Sequence, residues 1–123
     1  MGLRRDLFQR AKIDVAKQYK WYIKKAGPDI AEQYYDAFLA GLGQLESQPG
    51  LGIADDFGER RLRGLHMFVM DRPYDKHLIF YRYDLEVLWV VRVIHGARDL
   101  PRRLLREVTS TYGAMSAMKL ENA

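Results

Sequence analysis

The sequence predicts an α+β fold: an N-terminal αα-hairpin packed on a small curved antiparallel sheet, followed by a C-terminal helix. Three observations predict it. Apolar residues recur at intervals of three and four through residues 9 to 47, interrupted by one Gly27-Pro28 break. Two runs rich in β-branched and aromatic residues, Leu78 to Tyr83 and Val87 to Ile94, are joined by the short reversal Asp84, Leu85, Glu86. A glycine, an aspartate and a proline at positions 96, 99 and 101 then stop the sheet and start another helix.

Leu3 to Phe8 form either a short edge strand or the lead into a helix. From Gln9 to Lys25, Ala11, Val15, Tyr19, Tyr22, Ile23 and Ala26 share one helical face. Gly27 ends this helix, Pro28 opens the next, and Asp29 places a favourable charge at the new N-terminus. The second helix runs to Ser47 with Ile30, Tyr34, Phe38, Leu42 and Leu45 on one face, and small or acidic residues without lysine elsewhere. So short a connection makes the helices antiparallel, and their joint apolar stripe is the cover for a sheet. Trp21 and the tyrosines are read as core and boundary packing.

Pro49, Gly50 and Gly52 end the second helix, Ile53 to Glu59 form a polar loop, and Arg60 to Met70 alternate as a strand, with Gly64 suggesting a bulge. Arg72 and Pro73 turn the chain into the late hairpin. Val87 to Val91 are apolar on both parities, so that strand is covered on both faces or buried in a curved sheet. The last helix carries Leu100, Leu104, Leu105 and Val108, and the tail from Gly113 to Ala123 orders against a partner. The face of the sheet away from the helices, or its rim, is expected to stay available and to present the arginines.

Two charges interrupt the apolar hairpin, Arg82 and Arg92. A guanidinium stays protonated, and burying it unpaired costs several kcal/mol, so each needs a partner. Two readings stay open: a structural ion pair with Asp99, Glu86 or Asp14, or a binding role.

A chain of 123 residues is read as one domain able to bury roughly two-thirds of its unfolded surface. With no cysteine, disulfides and thiolate metal sites are excluded. His66, His77 and His95 are scattered without an HxxxH pair, so no metal and no cofactor are expected. No apolar run approaches membrane-spanning length, and MGLRRDLFQR has no apolar segment behind its arginines, which predicts a soluble, unexported, cytoplasmic protein. A net charge of +4 with a pI near 9.4 favours an acidic partner, nucleic acid or protein, without making the chain a polycationic coat.

Several residues together resemble a known family. They are Ala11, Asp14, Val15 and Trp21 in the first helix; Ala31, Tyr34, Leu45, Pro49 and Gly52 in the second helix and its exit; and Leu62 with Arg63. The most specific are HLIFYR from His77 and RVIHGARDL from Arg92. In these the chain resembles the ParE branch of the RelE/ParE toxin superfamily over roughly residues 7 to 106, leaving residues 107–123 as a C-terminal extension of a single toxin domain. The resemblance implies a type II toxin neutralised by a cognate antitoxin, acidic and of the ribbon-helix-helix type. It also implies DNA gyrase as the target, without sequence-specific DNA binding by the toxin alone.

RelE-like relatives on the same fold instead cut mRNA on the ribosome, so fold leaves the activity open. That chemistry needs an acid, a base and cations around one phosphate. His95 with Arg63, Arg82 and Arg98 would have to supply it. Gly96 stands where some of those nucleases carry a tyrosine, and Leu78 where an arginine would stand, which favours a non-enzymatic toxin with no catalytic residue. His95 is then a residue that hydrogen-bonds the loop to Asp99. Arg63, Arg82, Arg92, His95, Arg98, Asp99, Arg102 and Arg103 are the candidates for contact with target or antitoxin.

Overall fold

The computed structural model describes residues 2–54 and 64–96. In chain order they form β1 (Arg4–Leu7), α1 (Gln9–Ala26), α2 (Pro28–Ser47), a 3₁₀ turn at Pro49–Leu51, β2 (Ile53–Ala54), β3 (His66–Val69), β4 (His77–Tyr83) and β5 (Val87–His95). The sheet order β1-β5-β4-β3-β2 puts the late hairpin at its centre. Both helices and both hairpin strands lie within one residue of the bounds read from the sequence. The expected C-terminal helix, the tail, the loop residues 55–59 and the strand residues 60–63 lie outside the described residues.

Gly27 makes the helical hairpin possible. Its φ of 97° is closed to most side chains, and it lets one residue end α1 and begin α2. Its N–H donates to the carbonyls of Tyr22 (2.9 Å) and Ile23 (3.2 Å), while its own carbonyl accepts from Ala31 at 3.2 Å. Ala11 and Val15 of α1 and Tyr34, Phe38, Leu42 and Leu45 of α2 then bury against Ile79, Tyr81, Leu88, Val90 and Val93 of the sheet. Ile23, expected in this stripe, is 43% exposed, because one residue beyond Tyr22 the helix has turned 100° away from the core.

The two strands of the late hairpin meet through an Asp84 turn. The Asp84 carboxylate accepts the N–H groups of Glu86 (2.8 Å) and Val87 (2.9 Å), leaving Leu85 at the tip almost wholly exposed. Farther along, Tyr81 faces Val90 whereas Phe80 faces Arg92, so Val91 is an extra residue in β5. This irregularity is why Val90 and Val93, three apart, both reach the helix-side core. The bulge expected at Gly64 is not there: Gly64, with φ 90°, occupies a turn ahead of β3.

The far face of the sheet is not the open surface expected, although Arg82 stands on it beside Trp89. It holds a second apolar cluster, Leu65, Leu78, Phe80, Val91 and Ile94, flanked by Phe8, Met67 and Trp89. Coverage of β5 on both sides is thus as its two-parity pattern requires.

Two edges also differ from the sequence reading. Ile53 and Ala54, expected in a loop, pair with Met67 and His66 as β2. The cause is local: the Tyr81 hydroxyl accepts the Gly52 N–H (2.9 Å) and donates to the Pro49 carbonyl (2.6 Å), pinning the 3₁₀ turn against the sheet. A Cβ at position 52 would stand 2.5 Å from that hydroxyl and 2.9 Å from the Met67 carbonyl, so only glycine fits. At the other edge, β1 is a strand that pairs parallel to β5, Arg4 with Val87 through Leu7 with Val90, making an otherwise antiparallel sheet mixed.

Beyond Val90, β1 gives out and α1 crosses the edge of β5. The Phe8 N–H reaches the Val90 carbonyl (3.0 Å), and nearly two helical turns on Asp14 takes over. Its Oδ2 accepts the Val93 N–H (3.0 Å) and Arg92 Nε (2.7 Å), and its Oδ1 accepts Arg92 Nη2 (2.9 Å). Of the three partners open to Arg92, Asp14 is engaged, with the two side chains only 7% and 14% exposed, and Asp99 lies outside the described residues. Arg92→Ala is expected to destabilise the fold by about 3 kcal/mol, because it strands a half-buried carboxylate. Replacing both partners together, Arg92→Met with Asp14→Leu, is expected to recover most of that loss. Thermal melting of the two variants beside the parent protein checks this; an unchanged melting temperature in Arg92→Ala would show a solvated arginine.

Candidate functional site

Charge is segregated between the two helices. α1 carries Arg10, Lys12, Lys17, Lys20, Lys24 and Lys25, all exposed, and its one acid, Asp14, is taken by Arg92 and Val93. α2 is the reverse, with Asp29, Glu32, Asp36 and Glu46 and no base. Glu46 is turned inward to an ion pair with Arg5 of β1.

Two grooves of about 470 Å³ flank α1. The first lies between α1 and the end of β5, with Lys17, Gln18 and Trp21 on one wall and Arg92 to His95 on the other. Trp21, read as core or boundary, is 52% exposed here, its ring edge-on to Tyr22. The second lies between the helices, floored by Val15 and Phe38, walled by Tyr19 and Tyr35, and rimmed by Lys12, Lys20 and Glu32. The Tyr19 hydroxyl donates to the Glu32 carboxylate, and its ring meets Tyr35 edge-on at 6.3 Å. That hydrogen bond, above all, raises the Tyr19 pKa, so this wall stays a neutral phenol.

Behind the first groove sits an aromatic cluster centred on His77, which is 1% exposed. His77 Nε2 lies 2.9 Å from the Tyr22 hydroxyl, and the ring packs on Tyr34 (4.7 Å) and on His95 (4.8 Å, 73°). Tyr74 joins them and donates to the Ile30 carbonyl at 3.2 Å. The cluster fastens α1, α2 and the start of β4 together. Burial, with His95 adding to it, lowers the His77 pKa to about 4, so the imidazole is neutral near pH 7.

The residues singled out from the sequence separate into three groups. Arg92 is a fold residue, committed to Asp14. Arg82 is half-buried on β4, its guanidinium 5.3 Å from the Trp89 ring centre in a cation–π contact. His95 is exposed at the mouth of the first groove. Arg82 pairs with Trp89 and His95 with His77, so they stand at opposite ends of the hairpin, about 16 Å apart at strand spacing. Arg63, Arg98, Asp99, Arg102 and Arg103 lie outside the described residues, among them the partner expected for His95.

Sequence reasoning missed the basic face of α1 and the two grooves beside it. The signal was present in Lys17, Lys20 and Lys24, spaced at three and four. Among the described residues no group of three potential ligands is placed to hold a metal ion, and no helix is long and apolar enough to cross a membrane.

The family model described as ParE toxin of type II toxin-antitoxin system, parDE, matches residues 7–100. Among solved structures, a chain of the "Chromosomal ParDE TA system from P. aeruginosa" superposes with a TM-score of 0.63 at 14% identity. The match covers 77% of this chain and 97% of that one, and at this identity the likeness is one of fold. No curated protein matches the sequence significantly.

The state of His77 sets a pH dependence. In the unfolded chain its pKa is near 6.5; in the folded one it is near 4, so between these values the unfolded state binds the extra proton. Its contribution is intact above pH 6.5, fades as pH falls towards 4, and changes no further below. The loss is expected to reach about 3 kcal/mol. Denaturant unfolding at pH 7, 5.5 and 4 measures it, and His77→Gln should flatten the slope; an equal slope in that variant would assign the effect elsewhere.

Proposed function

Because the chain belongs to the ParE toxin family of parDE type II toxin-antitoxin systems, we propose that it acts in the cytoplasm as a poison of DNA gyrase. It works by binding, without chemistry of its own, and an acidic cognate antitoxin of the ribbon-helix-helix type neutralises it. The observation that supports the binding reading is the dispersal of the reactive groups among the described residues. A ribonuclease needs acid, base and cations within hydrogen-bond reach of one phosphate. Here Arg92 is spent on Asp14, His77 is buried and neutral, and Arg82 and His95 occupy opposite ends of the hairpin.

What the described residues offer instead is surface. α1 presents six bases with Trp21 and Ile13 exposed among them, bordered by two grooves. An acidic, apolar-anchored antitoxin segment lying along α1 would place its acids against these bases and its apolar side chains in the grooves.

Purified protein incubated with gyrase and plasmid should inhibit supercoiling or accumulate cleaved DNA at micromolar concentration. Gyrase that supercoils normally under those conditions would reject the target assignment. Association with the antitoxin should slow by about tenfold or more between 50 and 500 mM salt, because steering by exposed charges is screened beyond about 10 Å at 0.1 M. Stopped-flow rates that ignore salt would rule out the α1 surface as the encounter site.

A further inference from the structure

An acidic antitoxin accounts for the basic helix but leaves the outer face of α2 unexplained, since Glu32 and Asp36 would repel it. Viewed from the side away from the sheet, the hairpin shows an apolar seam of Ile23, Tyr35 and the groove beside Tyr19, with lysines along one margin and acids along the other. Ile23 is 43% and Tyr35 39% exposed, so the seam presents apolar surface to solvent.

We propose that this outer face of the hairpin binds a second copy of the chain, in an isologous dimer whose two-fold axis runs along the hairpin. Symmetry chooses the axis. A two-fold across the helices would set α1 on α1, lysine against lysine. A two-fold along them sets each α1 on the partner's α2 and leaves heights along the hairpin unchanged. Height is fixed by Tyr19, which touches both Glu32 and Tyr35. Lys20 follows Tyr19, and Lys24 stands one turn further; Glu32 and Asp36 are likewise one turn apart on the facing helix. Because the helices run antiparallel, Lys24 and Glu32 are each the member of their pair nearer the Gly27 turn, so the rotation brings Lys20 of one copy towards Asp36 of the other and Lys24 towards Glu32, on both sides of the axis.

Tyr19, Glu32 and Tyr35 are already tied together within one copy, so little ordering remains to be done on association. A helix of 18 residues is about 27 Å long, and a two-helix face is roughly 20 Å wide. Two such faces bury about 1,000 Å², the lower limit for a specific interface. The dimer covers α1, so self-association and capture of α1 by an acidic partner exclude one another.

Sedimentation velocity of the full chain between about 1 and 200 µM in 50 mM salt tests this. A concentration-dependent monomer–dimer equilibrium is expected. Lys20→Glu and Asp36→Lys, both at exposed positions, should each weaken it at least tenfold, and the double variant should restore it, with melting temperatures confirming that all three fold. A monomer throughout this range would overturn the proposal. So would a dimer unmoved by either reversal, or one that the double variant fails to restore.

Discussion

β1 runs out opposite Val90, and from there the edge of β5 would present unpaired amides to whatever lay beside it. α1 crosses at that point, and the Asp14 carboxylate stands in for the missing strand by taking the Val93 N–H together with two guanidinium N–H groups of Arg92. One carboxylate thereby does two jobs: it closes a sheet edge and neutralises a cation that lies in the most apolar strand of the chain. The arrangement also fixes where α1 sits relative to β5. The groove between them, the exposure of Trp21 and the packing of His77 against Tyr22 all follow from that placement.

Removing Asp14 from the solvent face has an electrostatic consequence. α1 would otherwise offset part of its own charge; with its acid turned inward, its outer surface is uniformly cationic, while α2 beside it is uniformly anionic among its exposed charges. Across the seam the contact is a hydrogen bond from the neutral Tyr19 hydroxyl to Glu32, which leaves the carboxylate's charge in place. A surface so divided has one margin suited to acidic partners and another suited to basic ones. Partner choice then depends on which margin a binding chain covers.

Periodicity made the helices and the late hairpin legible, because α2 and β4–β5 bury what their spacing says they should: Tyr34, Phe38, Leu42 and Leu45, then Ile79, Val90 and Val93. Signals from single residues were weaker. Gly64 was read as a bulge but serves a turn, and the actual irregularity falls at Val91, where no glycine marks it. The strand at Ile53–Ala54 depends on a hydroxyl 29 residues away, which no local pattern encodes. For Arg92 the sequence allowed three acids, and it takes the crossing of α1 over β5 to bring Asp14 to it. The site was less legible still: the arginines stood out as anomalies in an apolar run, whereas the lysines of α1 looked like ordinary helix surface. A charge is conspicuous where burial makes it costly, yet it is available to a partner where burial does not.

That distinction bears on how this fold would serve the binding function proposed for it. Catalysis requires reactive groups that converge and remain free to exchange protons. In this chain the histidine with the most altered pKa is locked behind Tyr22 and Tyr34, and the arginine nearest to it in the late hairpin is held by two hydrogen bonds to Asp14. Both strengthen the scaffold by giving up reactivity. Recognition makes the opposite demand: it tolerates dispersed groups provided the frame carrying them is rigid, since each contact then adds without further loss of conformational freedom. A hairpin bolted to the sheet through Asp14 and His77, with its bases, acids and exposed rings fixed outside, meets that demand.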